Sequence, residues 1–183
     1  MMRTQHSKKL GKILFILCIV VYVFLAGCRD KSVDHYNRGT SHLNRAEHDQ
    51  AILCFTKAIE INARYAEAYN NRGAAHRAKG EYDLAISDYN KAIEINPQLA
   101  DAYYNRAVAY DNKGFYDRAI LDLDKTLEIN PEYAGAYNSR AIAYYHKGQY
   151  DKAWEDVNKA QSLGTQVHTG FLDALRKASG RER

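Results

Sequence analysis

Residues 66–99 read AEAYNNRGAAHRAKGEYDLAISDYNKAIEINPQL, and the chain returns to this stretch again and again. A shift of 34 residues gives 100–133, ADAYYNRAVAYDNKGFYDRAILDLDKTLEINPEY, and a second gives 134–167, AGAYNSRAIAYYHKGQYDKAWEDVNKAQSLGTQV. The same shift backward gives 32–65, SVDHYNRGTSHLNRAEHDQAILCFTKAIEINARY, so four copies follow one another without insertion or deletion. A fixed period of this size marks a stacked repeat array and outranks any local reading.

Each copy divides into two helical halves. In residues 66–99, Tyr69, Gly73 and His76 share one helical face, and Ala85, Tyr89 and Ala92 share another. Gly80 lies between them, where a left-handed backbone turn is cheap. Asn96-Pro97 ends the second half, because proline disfavours helical geometry in the residue before it. One such hairpin cannot bury its own apolar face, so neighbours must stack. The fold class is all-α.

These positions resemble the tetratricopeptide repeat. Tyr69, Tyr103 and Tyr137 stand at its aromatic position 4, and Gly39, Gly73, Ala107 and Ala141 at its small position 8. Gly80, Gly114 and Gly148 fill 15; Tyr82, Tyr116 and Tyr150 fill 17; Ala51, Ala85, Ala119 and Ala153 fill 20. Phe55 and Tyr89 occupy 24, Ala58, Ala92 and Ala160 occupy 27, and Pro97 and Pro131 occupy 32. The terminal copies depart from the pattern, with Ala46, His48 and Ala63 in the first and Thr165 in the last, and position 7 is arginine throughout. The resemblance implies a right-handed α-solenoid of four hairpins, at 32–65, 66–99, 100–133 and 134–167. Residues 168–183 then form a capping helix, through Phe171, Leu172 and Leu175, and a tail.

The N-terminus has a different character. Arg3, Lys8, Lys9 and Lys12 precede an uncharged apolar run at 13–25, too short for a span that wants roughly 20 residues. It reads as the core of a secretory signal over residues 1–27. Leu25-Ala26-Gly27-Cys28 at its end resembles the bacterial lipobox, which implies that Cys28 becomes the lipidated first residue of the mature protein. The other reading is an uncleaved signal anchor with an incidental cysteine. Several acyl chains would hold the protein stably, at ~0.8 kcal/mol per buried methylene. Residues 28–31 form the linker, so the array is expected to ride close to the membrane. Arg29 after the cysteine resembles outer-membrane sorting in a diderm host, which implies an envelope location facing the periplasm.

Cleavage also changes the charge. The formal +4 loses four basic residues and no acid, leaving zero, so neither the net charge nor any basic stripe suggests nucleic acid. Cys54 alone remains after Cys18 and Cys28, and it cannot form an internal disulfide.

No catalytic or phosphate-binding motif occurs, and no enzyme activity and no cofactor are expected. Asp49, Asp83, Asp117 and Asp151 recur near the starts of second helices, where a negative charge suits the helix dipole. His35, His42 and His76 occupy aromatic packing positions, so core substitution is the reading favoured over a metal site. Asn37, Asn71 and Asn105, with the adjacent arginines, suit either a ladder between repeats or ligand capture.

The family's first helices line a concave groove, which implies a partner site built from Tyr36, Asn70, Arg77, Asp101, Tyr104, Asp111, Asn112, Asn138, Tyr145 and His146. Such a surface suits a protein or peptide ligand, extended or helical. The clamp that some family members use on a terminal carboxylate is absent: Asn71 matches it, whereas Tyr36, Thr40 and Asp101 do not. The sequence therefore reads as a lipid-anchored interaction scaffold of the bacterial cell envelope. It is similar to small repeat lipoproteins that dock envelope enzymes or assemble pili and secretion pores. A self-associating homo-oligomer and a glycan-binding module are the alternatives.

Overall fold

The computed structural model describes residues 30–181, which fold as nine helices with no strand among them. The helices are α1 (Lys31–Asn44), α2 (His48–Ile61), α3 (Ala66–Ala78), α4 (Tyr82–Ile95) and α5 (Ala100–Asn112). They continue with α6 (Tyr116–Ile129), α7 (Ala134–His146), α8 (Tyr150–Ser162) and α9 (Thr169–Ser179). Cys28 and the apolar run before it lie outside the described residues. Among those described, no helix is long and apolar enough to cross a membrane. The first helix begins at Lys31, one residue earlier than the repeat register suggests, because Asp30 caps it by accepting from the Ser32 amide at 2.9 Å.

Within each repeat the two helices pack as a hairpin, and each second helix packs on the first helix of the next repeat. First helices also meet across repeats, α1 with α3, α3 with α5 and α5 with α7, while second helices make no comparable contact. The stack therefore bends with α1, α3, α5 and α7 on its inner side.

Small residues set the spacing. Ala68, Ala102 and Ala136 near the starts of three first helices, and Ala75, Ala109 and Ala143 two turns on, are fully buried in the seams between repeats. In α1 the corresponding residues are Asp34 and Ser41. That face of α1 carries polar side chains where every later seam has alanine.

Inside the hairpins, size is matched in pairs. A Cβ added at Gly39 would lie 2.6 Å from the Phe55 ring, and one at Gly73 would lie 2.7 Å from the Tyr89 ring. In the later repeats Ala107 and Ala141 stand at this position, and the partner position holds the smaller Leu123 and Val157. Glycine thus goes with an aromatic and alanine with a smaller aliphatic residue, so that a larger residue on one helix is matched by a smaller one on its partner.

The hairpin turns share one geometry, with Gly80, Gly114 and Gly148 left-handed at φ 78°, 77° and 71°. Ala46 takes the same conformation at φ 58° without being glycine. The turn brings Glu47, Glu81 and Phe115 opposite His42, His76 and Tyr110. The first two histidines pair with glutamate (His76 Nδ1 to Glu81 at 2.6 Å), and Tyr110 packs against Phe115 at 6.4 Å. These histidines are thus not simple core substitutes, as the sequence suggested, but half-buried partners of the glutamates that begin α2 and α4. His35 is half-buried, and its Nδ1 has no partner among the described residues.

Between repeats, asparagine does more than proline. Asn62, Asn96 and Asn130 each accept from the amide two residues on, at 3.0, 3.1 and 3.1 Å. This local turn forms in the first repeat without proline, which accounts for the tolerated Ala63.

The recurring aspartates also act differently from the expectation. They lie in the first turns, but their oxygens reach across repeats: Lys79 to Asp49 at 2.8 Å, Lys113 to Asp83, Lys147 to Asp117 and Arg181 to Asp151 at 2.9 Å. Arg181 continues the register past the fourth repeat, so α9 occupies the place of a fifth first helix. Leu175 is fully buried beside Val157, Ala160 and Val167, and the Trp154 indole donates to Ser179 at 3.1 Å. Phe171 and Leu172 pack against the same cluster, as the sequence suggested.

Candidate binding groove

The inner side of the stack carries two rows of polar side chains. In the first, Asn71 Nδ2 donates to the Tyr36 hydroxyl at 3.0 Å, Asn105 Nδ2 to Asn70 Oδ1 at 3.0 Å, and Ser139 Oγ to the Tyr104 hydroxyl at 3.4 Å. Asn70 also donates to Asn71 Oδ1 at 3.3 Å and is buried. The tyrosine rings are fixed from the side: Tyr36 stacks on Tyr65 and Tyr104 on Tyr133, both at 4.9 Å, and Tyr133 donates to Asp101 at 2.9 Å. Asn71 and Asn105 therefore form the ladder between repeats that the sequence allowed, and Asn37 stays exposed outside it. Tyr36, Asn70 and Tyr104 hold repeats together, Asp101 is held by Tyr133 of its own repeat, and all four present only their remaining faces to the groove.

The arginines belong to a separate ladder. Arg72, Arg106 and Arg140 each grip an aspartate of their own hairpin with two nitrogens, Asp88, Asp122 and Asp156, at 2.7–2.8 Å. A third nitrogen reaches the preceding repeat, to Thr56 at 3.1 Å, Asn90 at 2.6 Å and Asp124 at 2.5 Å. The bond with Asp88 holds the Arg72 guanidinium above its ordinary value, while burial pushes the Asp156 carboxyl up despite its arginine. Sixteen residues after Arg38 stands Cys54, a half-buried free thiol, where the later repeats have aspartate. Arg38 has no ion-pair partner among the described residues.

The second row lies one to two turns further along the first helices. Arg77 is half-buried with its Nε unpartnered, near the buried Tyr89 phenol. Burial pushes that phenol up to about 12, against the pull of the Arg77 cation. Asp111 is half-buried, and its Oδ1 has no hydrogen-bond partner among the described residues. Burial pushes this carboxyl up, with His146 drawing it back. In the first row, Asn138 Oδ1 is likewise buried without a partner. Asn112 is exposed and donates to the Val108 carbonyl at 2.7 Å. His146 is exposed and stacks on Tyr116 at 4.8 Å. Tyr145 is drawn toward the cap, where it meets Phe171 edge-on at 5.7 Å. Its ring supports α9 as much as it lines the groove.

Between α5 and α7 this row opens into a cavity of about 250 Å³, lined by Tyr104, Val108, Asp111, Asn112, Ser139 and Ile142. Among the described residues, no group of three histidine, cysteine or acidic side chains could hold a metal ion. The sequence missed the partnering of the tyrosines. The signal for it was the alternation of Tyr36, Asn70, Tyr104 and Asn138 against a constant donor one residue on.

Tetratricopeptide-repeat family models match residues 66–99 and 100–133, a related repeat model matches 45–80, and another tetratricopeptide model matches 123–155. A crystal structure of MamA is similar to this chain at 31% identity and TM-score 0.68, covering 76% of this chain and 82% of its own. The tetratricopeptide domain of Arabidopsis OM64 is 25% identical with TM-score 0.63, covering 64% and 97%. The first such domain of Spaghetti, solved with the HSP90 peptide SRMEEVD, is 24% identical with TM-score 0.62, covering 63% and 91%, a likeness of fold. None of the curated proteins matches the chain. The chain belongs to the tetratricopeptide-repeat family. It is a protein-interaction scaffold, and none of the matching family models is catalytic.

Proposed function

We propose that this chain is a lipid-anchored adaptor of a bacterial cell envelope, facing the periplasm from the outer membrane of a diderm host, which holds a protein segment in its concave groove. The observation that carries the reading is a pair of unmet acceptors on the groove side. Asp111 in the second row and Asn138 at the end of the first keep buried oxygens without donors, whereas Tyr36, Asn70 and Tyr104 are met by the following repeat. A buried acceptor left unmet costs about 1–3 kcal/mol, so a ligand that supplies donors gains from meeting them. The anchor reading rests on the signal-like N-terminus ending in Cys28, and on the short distance from that cysteine to the Asp30 cap. With one residue between them, an anchored array would lie against the lipid surface.

The test is capture of tagged, full-length protein from crosslinked native membranes. An Asn112→Arg, His146→Glu double variant serves as the groove control, because both residues are exposed on that side. A protein recovered with the unaltered chain and lost with the control supports the adaptor. Equal recovery with both removes the groove reading. Cys28→Ser should leave the protein in the soluble fraction after alkaline wash; a variant that still pellets favours the signal anchor.

Self-association is the second reading, and exposed apolar residues on second helices favour it. Leu53, Leu84 and Leu121 are 49%, 54% and 68% exposed on α2, α4 and α6. Mass that rises with concentration and falls for Leu121→Glu would move the weight to a homo-oligomer.

A further inference from the structure

We propose that the segment held in the groove carries a lysine or arginine, whose side chain enters the cavity between α5 and α7 and ends on the Asp111 carboxylate. This deepens the groove reading above and rests on it.

The cavity has the chemistry of such a side chain. Its walls are Val108, Ile142, Leu123 and the Tyr104 ring, which suit a methylene stem, and Asp111 supplies an acceptor at one end. Lysine and arginine bury their stems along apolar surface while the charged head seeks a polar partner. At about 250 Å³ the space falls just below the roughly 300–1,000 Å³ typical of small-molecule sites. It fits one long side chain better than a whole cofactor or a glycan unit.

Asp111 is also the half-buried acid of the groove whose oxygen is left unmet; Glu67, another groove position, is exposed to solvent. Asp101 accepts from the Tyr133 hydroxyl, and the carboxylates of the arginine ladder are each held by two nitrogens. Asp111 Oδ1 is buried and unmet, in a site where burial disfavours its charge. A cation placed there offsets that cost and forms a charge-assisted hydrogen bond, the stronger kind. The groove positions as a set point the same way. Glu67, Asp101 and Asp111 are acidic, against the single permanent cation Arg77, so a basic segment is attracted and an acidic one is not. Ser139 and Tyr104, at the other end of the cavity, already bond to each other, which leaves Asp111 to choose the ligand.

The experiment is selection of a random linear dodecapeptide library on the full chain in detergent micelles. The enriched peptides are then titrated against the unaltered chain, Asp111→Asn and Asn138→Ala. Enriched peptides should share a lysine or arginine. Replacing that residue by norleucine, or Asp111 by asparagine, should weaken binding by about tenfold or more, and the two changes together should cost little beyond either alone. A melting curve of Asp111→Asn no lower than that of the unaltered chain shows that the variant folds. If the enriched peptides lack a basic residue, or bind Asp111→Asn unchanged, the inference falls and the groove reading stands. If no peptide is enriched, or binding is indifferent to Asn112→Arg as well, the groove reading falls and takes the inference with it.

Discussion

Ala46 occupies a left-handed turn that the later repeats give to glycine. Ala46→Gly should stabilise the protein by about 1 kcal/mol, read from urea denaturation, and no change would mean that the turn is unstrained. The opposite exchange acts at Gly73. Gly73→Ala drives a Cβ to 2.7 Å from the Tyr89 ring and should cost about 1–3 kcal/mol. Tyr89→Leu in the same chain should recover much of that loss, because it recreates the Ala107 and Leu123 pairing of the third repeat; strict additivity would contradict the pairing. Asp111 gives the pH signature. Its folded pKa is raised, so its ionisation works against folding. The stability it permits is complete below the unfolded carboxylate pKa of about 3.9 and is lost as pH rises through the folded value. Asp111→Asn should therefore melt higher than the unaltered chain near neutral pH, with the gap closing as pH falls into the carboxylate range. A constant gap would place the unmet oxygen elsewhere. The left-handed Ala46 and the Gly73–Tyr89 pairing do not show in a single repeat, and become visible only when copies are aligned and their exceptions compared.

Among the elements, α9 closes the stack by imitating the first helix of a further repeat. Leu175 is its one fully buried side chain, and Leu175→Ala should cost about 2–5 kcal/mol by thermal or urea melting. A loss under 1 kcal/mol would mean that α9 rests on the array without sealing it. The helices and their turns were legible from the 34-residue period, because glycine, alanine and aromatic positions recur in register. The cross-repeat ion pairs were not. An aspartate in the first turn of a helix already has a reason to be there, so Asp49, Asp83 and Asp117 gave no sign of the lysine 30 residues later. The arginines at position 7 were visible as a departure, yet their aspartates lie 16 residues on, across the hairpin turn. The groove was legible as a row of residues and illegible as chemistry. Tyr36, Asn70 and Tyr104 looked like ligand contacts, whereas hydrogen bonds from the following repeat bind the two hydroxyls and the Asn70 amide.

For the whole molecule, curvature follows from which helices touch. First helices meet across repeats and leave a concave side on which Asp111, Asn112, Asn138 and His146 remain available to a partner. The convex side is built from second helices tied by the arginine ladder, and its exposed leucines are the competing surface. The most direct measurement is photocrosslinking in native membranes, with a photoreactive residue placed at Asn112 on the concave side or at Leu121 on the convex side. A groove adaptor gives a discrete adduct with another protein from Asn112 and none from Leu121. An adduct from Leu121 alone, or adducts only between copies of this chain, would contradict the adaptor reading.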